Sequence, residues 1–227
     1  VTISHTLESS PTTKRFSRTG RRAGIAATVF AGIAALTLAA GAPAQAATVI
    51  TEGHIDVVRA SISSDGSKLV LGTNDENKGN YYTAAQASSV EFDVTKKEGT
   101  NWIIPASQTG NELFTGFAGS GNEAPGADSG EKGLYTKLAG GDHIKFTVTP
   151  AASNPGTLSL NFPSTTGVVT AGNSYTVALK AGEDEAFHAH PKWTFSAKGT
   201  YSVTVTASNP EGKVANSGAI TLKFVTK

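Results

Sequence analysis

The chain has 227 residues, 25 of them Gly and 9 Pro, with no Cys, no Met and only 16% charged residues. Without Cys, a disulfide scaffold, a cysteine zinc finger, an iron–sulfur protein and a thiol enzyme are excluded, while 38% hydrophobic residues suffice for one core. The formal net charge of +1 makes no case for nucleic-acid binding and averages two unlike segments.

Residues 1–46 have the layout of a secretory signal peptide. Lys14, Arg15, Arg18, Arg21 and Arg22 form a basic start, Ala23 to Ala42 is uncharged and rich in Ala, Ile, Leu and Val, and Ala44-Gln45-Ala46 is a small-x-small cleavage signal. Val1 then reads as a GTG initiator, and the mature chain is expected to start at Ala47. A stretch of about 20 apolar residues can also span a bilayer, but the small side chains and the Gly41-Ala42-Pro43 break favour cleavage. Arg21-Arg22 is a weak twin-arginine match because Ala-Gly follows it. Membrane contact is thus expected only through the cleaved peptide, and the protein is expected to be secreted or retained at the cell surface by a partner. Five of the 19 basic and one of the 18 acidic residues lie in this segment, leaving 14 against 17 and a net charge of −3. The remaining 181 residues are long enough for one domain, 47–227.

From residue 47 onward, alternation replaces helical periodicity. Glu52-Gly-His54-Ile-Asp56 begins the series, and Ser64-Asp65-Gly66 reads as a turn. Asn74 to Gly79 resembles a calcium loop but lacks EF-hand spacing and the closing Glu, so a polar hairpin turn is expected. Thr83 to Ser88 is the one short helical turn. Val90–Val94, Ile144–Val148, Leu158–Phe162, Tyr175–Leu179 and Tyr201–Val205 all alternate apolar and polar residues, as half-buried antiparallel strands do. Residues 110–133 lapse into Gly, Ser, Asn, Ala and Pro around Leu113, Phe114 and Phe117, which predicts a long loop excursion over one end of the fold. Phe195, Gly199 and Tyr201 have the spacing of a tyrosine corner, with Trp193 in the core, and Ile220 to Lys227 reads as a strand. The fold class predicted is all-β, an immunoglobulin-like antiparallel β-sandwich with a long loop excursion, preceded by a signal peptide.

Chemistry is sparse. No Gly-x-Ser-x-Gly elbow, phosphate loop or His-Glu-x-x-His helix occurs, so a non-enzymatic role is expected. The candidate site lies in two segments. In an extended Phe187-His188-Ala189-His190-Pro191 the two imidazoles share a face, and Glu52, His54 and Asp56 share one at i, i+2, i+4. Two nitrogens from one strand and a third with a carboxylate from another suit Zn²⁺ or Mn²⁺. The bland alternatives are histidines that face solvent or bond the Glu183-Asp184-Glu185 run, and a charged face that protects an edge strand. His143, after Gly140-Gly141-Asp142, reads as a turn residue.

Several segments together resemble the actinobacterial surface-anchored protein domain, or choice-of-anchor M domain, family. They are Gly53-His54-Ile55-Asp56, Asn101-Trp102-Ile103-Ile104-Pro105, Leu113-Phe114-Thr115-Gly116-Phe117, and His188-Ala-His190-Pro-Lys-Trp193-Thr-Phe195 leading into Gly199-Thr-Tyr201. The resemblance covers roughly residues 49–207, which fits one domain. It implies an exported domain encoded beside ABC transporters similar to zinc and manganese importers. By the same resemblance His54, His188 and His190 are the matching metal positions, and a surface metal transporter or a cell-wall protein is the partner. The expected function is capture or buffering of Zn or Mn through His54, His188 and His190, with Asp56 or Glu52 supplying an oxygen. The rival expectation is a structural or adhesive surface module that meets a protein or glycan through the 110–133 excursion.

Overall fold

The computed structural model describes residues 47–227, and the signal peptide expected over 1–46 lies outside the described residues. The described chain is mostly β. In chain order the strands are β1 (Thr48–Ile50), β2 (Gly53–Ile62), β3 (Leu69–Asp75), β4 (Asn80–Thr83), β5 (Val90–Val94), β6 (Lys97–Glu98), β7 (Asn101–Ile104), β8 (Leu113–Ser120), β9 (His143–Pro150), β10 (Leu158–Asn161), β11 (Val169–Ala171), β12 (Ser174–Ala178), β13 (Glu185–Ala189), β14 (Lys192–Phe195), β15 (Gly199–Ser208) and β16 (Ile220–Thr226). One helical turn, α1 (Ala84–Ala87), sits where the sequence suggests it. Gln86 closes a capping box on Thr83, which satisfies donors that so short a helix leaves open.

These strands form three sheets, in the orders β1-β5-β16-β15-β9-β12-β11, β10-β14-β7-β6 and β13-β8-β2-β3-β4. The five alternating segments each coincide with a strand to within a residue or lie inside one, and in each the apolar residues belong to the core or pack against it. The aromatic residues join the sheets. Trp193 of the four-stranded sheet packs on Phe224 of the seven-stranded sheet at 4.9 Å and on Phe117 of the five-stranded sheet at 6.1 Å, and Phe117 meets Phe146 at 5.2 Å. Tyr201 forms the corner expected of it. Its buried hydroxyl donates to the Ala197 carbonyl and accepts from the Ala197 N–H, both at 3.0 Å.

Two expectations are corrected. The pairing is not purely antiparallel, since β1 with β5, β5 with β16 and β2 with β8 run parallel. Each such pair is joined by a long crossover that a hairpin cannot replace. Nor is 110–133 a free excursion. Residues Leu113–Ser120 are β8, an inner strand between β13 and β2, and the irregular path begins only at Gly121. Phe117, taken from sequence as a contact residue, is 1% exposed in the core. The small residues that resemble a loop have a packing reason, because side chains from both neighbouring strands lie across β8.

Candidate metal centre

The site is built on the outer face of the five-stranded sheet. Gly53 opens β2 at φ +91, a conformation that costs other residues more. His54 and Asp56 then alternate onto the outer face. A bulge follows: Asp56 pairs with Asn74 and Gly116, whereas Arg59 pairs with Gly72 and Val58 with Phe117. One extra residue is absorbed there, so Val57 and Val58 are both buried while Arg59 returns to the face of Asp56. A second bulge in β13, between Glu185 and Phe187, brings Glu185 and His188 to one face three residues apart.

β8 lies between these two strands, and strands two places apart are separated by about 9.5 Å. On this face β8 presents Phe114 opposite His54 and small residues opposite Asp56 and His188, and the small residues leave room for the rings to meet across the gap. Asp56 pairs with Gly116, and both Arg59 and His188 pair with Ala118. A Cβ on Gly116 would stand 2.7 Å from Cε1 and 2.8 Å from Nδ1 of His190, so glycine here is what admits that ring. Phe114, on the same strand, stacks on His190 with centroids 3.7 Å apart and planes 13° from parallel.

The three Nε2 atoms converge. His54 lies 3.1 Å from His188 and 3.2 Å from His190, and His188 lies 2.9 Å from His190. The opposite nitrogens of two rings are held by carboxylates: His54 Nδ1 by Glu76 at 2.6 Å and His188 Nδ1 by Glu185 at 2.7 Å. A neutral imidazole carries one N–H, and each carboxylate draws that proton to Nδ1. The lone pairs on Nε2 then face one another, an arrangement that is repulsive without a cation among them. Carboxylates behind metal-bound histidines do the same in known centres, fixing the tautomer and aiming the free nitrogen. His190 lacks such a partner, and its buried Nδ1 makes no hydrogen bond. Packing against Phe114 and the Gly116 backbone holds it instead.

Asp56 completes the group. It is fully buried, Oδ2 accepts from Arg59 at 2.7 Å, and Oδ1 has no hydrogen-bond partner. Oδ1 stands 3.2 Å from His188 Nε2 and 3.9 Å from His54 Nε2, within ion-pair reach of His188 but without the alignment of a hydrogen bond. A buried carboxylate oxygen that accepts no hydrogen bond is costly, and a cation beside it, a protonated His188 or a metal ion, offsets that cost. An ion with three imidazole ligands at about 2.0–2.1 Å in tetrahedral geometry separates the nitrogens by about 3.3 Å. The observed spacings reach that with shifts of a few tenths of an ångström, so the residues fit a metal ion.

Charge points the same way. Asp56, Glu76 and Glu185 surround a single Arg59, leaving an excess of two negative charges that one divalent cation balances. Burial alone would depress the His188 pKa, but Asp56 and Glu185 outweigh it and raise it to about 10. Burial, joined by the charge on His188, pushes His190 down to about 4. Asp56 is held below the usual carboxylate range, since His188 and Arg59 overcome its burial. The metal-free cluster therefore keeps a proton on His188 where an ion would otherwise sit.

Of the residues named from sequence, His54, His188 and His190 come together, and Asp56 borders them. Glu52 does not join. It is exposed, bridges to Glu112 and lines a separate cavity of about 320 Å³ with Asp75, Asn77 and Asn111. The positive φ of Gly53 at the start of β2 breaks the alternation that would have carried Glu52 to the face of His54. His143 lies apart, at the start of β9, against Glu211 at 2.8 Å. Sequence reasoning missed Arg59, Glu76, Phe114 and Gly116 as parts of a site: the β2 bulge turns Arg59 onto this face, Glu76 follows β3 in the turn to β4, and Phe114 and Gly116 arrive with β8, a strand read from sequence as loop. Glu185 was legible as a histidine partner, and that bond exists alongside the convergence. No family model, no curated protein and no solved structure matches the chain.

Proposed function

We propose that this chain is an exported, non-enzymatic β-sandwich of immunoglobulin-like kind that captures or buffers a divalent transition metal, zinc or manganese, outside the cell. His54, His188 and His190 bind the ion, Asp56 Oδ1 offers an oxygen beside it, and Glu76 and Glu185 aim two of the rings. The observation that carries this reading is the meeting of three Nε2 atoms within 3.2 Å of one another beside an unpartnered buried carboxylate oxygen. Export is proposed from the basic and apolar composition of residues 1–46. Delivery to a surface metal transporter or a cell-wall protein is proposed from the resemblance to surface-anchored domains. The rings of His54 and His188 are each 23% exposed, so an ion held there stays within reach of solvent and of an acceptor. Of the two aromatic residues named for the adhesive alternative, Phe117 is in the core and Phe114 stacks on the His190 ring, which leaves that reading the irregular path of residues 121–133.

The test is calorimetric titration of the full chain with Zn²⁺ and with Mn²⁺, repeated on the variant with all three histidines replaced by Ala. Saturable binding of one ion by the parent, lost in the variant, is expected. Equal, millimolar-range affinity in both proteins would end the proposal.

A further inference from the structure

We infer that Arg59 is the specificity-determining residue of this centre, limiting the ion to three imidazoles and one carboxylate oxygen and so selecting zinc(II) over manganese(II). The inference rests on the metal-binding reading above and adds the chemical class of the ion.

Arg59 is the hub of the carboxylates. Its side chain is only 12% exposed, its Nε donates to Ser120 Oγ at 2.9 Å, and its Nη1 donates to Asp56 Oδ2 at 2.7 Å and to Glu185 Oε1 at 3.0 Å. The same nitrogen stands 3.9 Å from Glu76 Oε1. In each carboxylate one oxygen thus faces the guanidinium while the other serves the cluster: Asp56 Oδ1 borders the histidines, Glu185 Oε2 takes the His188 ring N–H, and Glu76 Oε2 takes that of His54. Asp56 is therefore restricted to one oxygen, and Glu76 and Glu185 are kept behind the rings.

The donor set that remains decides which cation suits it. Zinc is content with four ligands of mixed nitrogen and oxygen type. Manganese lies at the weak end of the divalent series and is favoured by carboxylate, carbonyl and water oxygens. With Arg59 removed, Asp56 gains a second free oxygen and Glu185 a first, both oxygens that manganese prefers. One nitrogen, Nη1, reaches all three carboxylates while Nε is anchored on Ser120 Oγ, and a lysine ammonium on its flexible stem has no second nitrogen to anchor it there.

The experiment compares the full chain with Arg59→Met, which retains most of the apolar stem, and with Arg59→Lys. Zn²⁺ and Mn²⁺ affinities are measured by competition with a chromophoric chelator, and Co²⁺ is added as a spectroscopic stand-in for zinc. The parent is expected to give the intense visible absorption of four-coordinate cobalt, displaced by one equivalent of Zn²⁺ and unaffected by a hundredfold excess of Mn²⁺. In Arg59→Met, zinc affinity is expected to fall by about 10–100-fold, the range for residues that orient metal ligands, while manganese affinity holds or rises. The cobalt band should weaken as coordination expands, and Arg59→Lys should restore it only in part. Equal loss of both metals with an unchanged cobalt spectrum would overturn the inference, because Arg59 would then be merely structural. A parent that binds Mn²⁺ as tightly as Zn²⁺, or gives a weak six-coordinate cobalt spectrum, overturns it while leaving metal capture intact, and this result is decisive even if neither variant folds. A parent that binds no metal overturns both.

Discussion

Two regions of the molecule hold a histidine against a glutamate in much the same way. At the start of β9, His143 Nδ1 meets Glu211 at 2.8 Å; on the five-stranded sheet, His54 meets Glu76 at 2.6 Å and His188 meets Glu185 at 2.7 Å. Judged by the pair alone, the three are equivalent. They differ in where the second nitrogen goes. The His143 ring is 42% exposed, and Asn209 and Glu211 tie its backbone into a turn network. The other two rings send their second nitrogens to a shared point with His190. A histidine–carboxylate pair is thus an ordinary surface device, and convergence of the far nitrogens is what turns two such pairs into a candidate metal centre.

The largest effect expected from this contrast is in stability. With metal at about 100–1,000 times the dissociation constant, a ligand that binds only the folded state stabilises it by about 2.7–4.1 kcal/mol. For a domain of this size that raises Tm by on the order of 10 °C. The triple variant His54→Ala, His188→Ala, His190→Ala should lose the whole shift in a thermal melt. If it keeps the shift, the convergence is incidental.

Next is pH. Since the His188 pKa is raised to about 10 from 6.5, the proton it holds must leave when metal binds, and His190, lowered to about 4, has none to give at neutral pH. Zinc binding near pH 7 to 9 should therefore release about one proton from this residue, with affinity climbing about tenfold per pH unit. Titrations in buffers of different ionisation enthalpy measure that proton directly. For the metal-free fold the sign is opposite. The charged His188 contributes stability fully below about 6.5, and that contribution is lost as pH rises through about 10.

A smaller change is expected from Glu185→Gln, which keeps the shape but not the charge behind His188. Metal affinity should fall by about 10–100-fold, read by chelator competition, with the unfolding midpoint of the metal-free protein moved much less. The smallest effect belongs to the control region. His143→Ala should leave metal affinity unchanged and cost about 0–1 kcal/mol of stability, the usual worth of an exposed ion pair. Any loss of metal binding in that variant would dissolve the distinction between the two regions.

Legibility in the sequence varied for identifiable reasons. Strands such as Ile144–Val148 and Tyr201–Val205 were plain because each buries one face and leaves the other partly open to solvent. β8 was hidden because it is an inner strand crossed by side chains of its neighbours, so Gly116 and Gly119 stand where bulky β-formers are the usual signal. Gly119 sits under Phe187 as Gly116 sits under His190. Within the site, His188 and His190 were readable as a pair from their spacing of two. Arg59 was not, because strict alternation from His54 and Asp56 selects Val58 for the outer face, and only the bulge puts the guanidinium there instead.

The amino-acid sequence by itself determined a β-rich domain after residue 47, the tyrosine corner, and two histidine-bearing segments fit for a metal. These depend on local alternation and spacing, which neighbouring residues along the chain set on their own. Only the tertiary structure decided that the segments face one another across β8, that Glu52 is turned away at Gly53, and that Arg59 gathers the carboxylates. Those outcomes follow from strand order and from one-residue shifts of register, set by the core on the opposite face of the sheet rather than by the residues of the site.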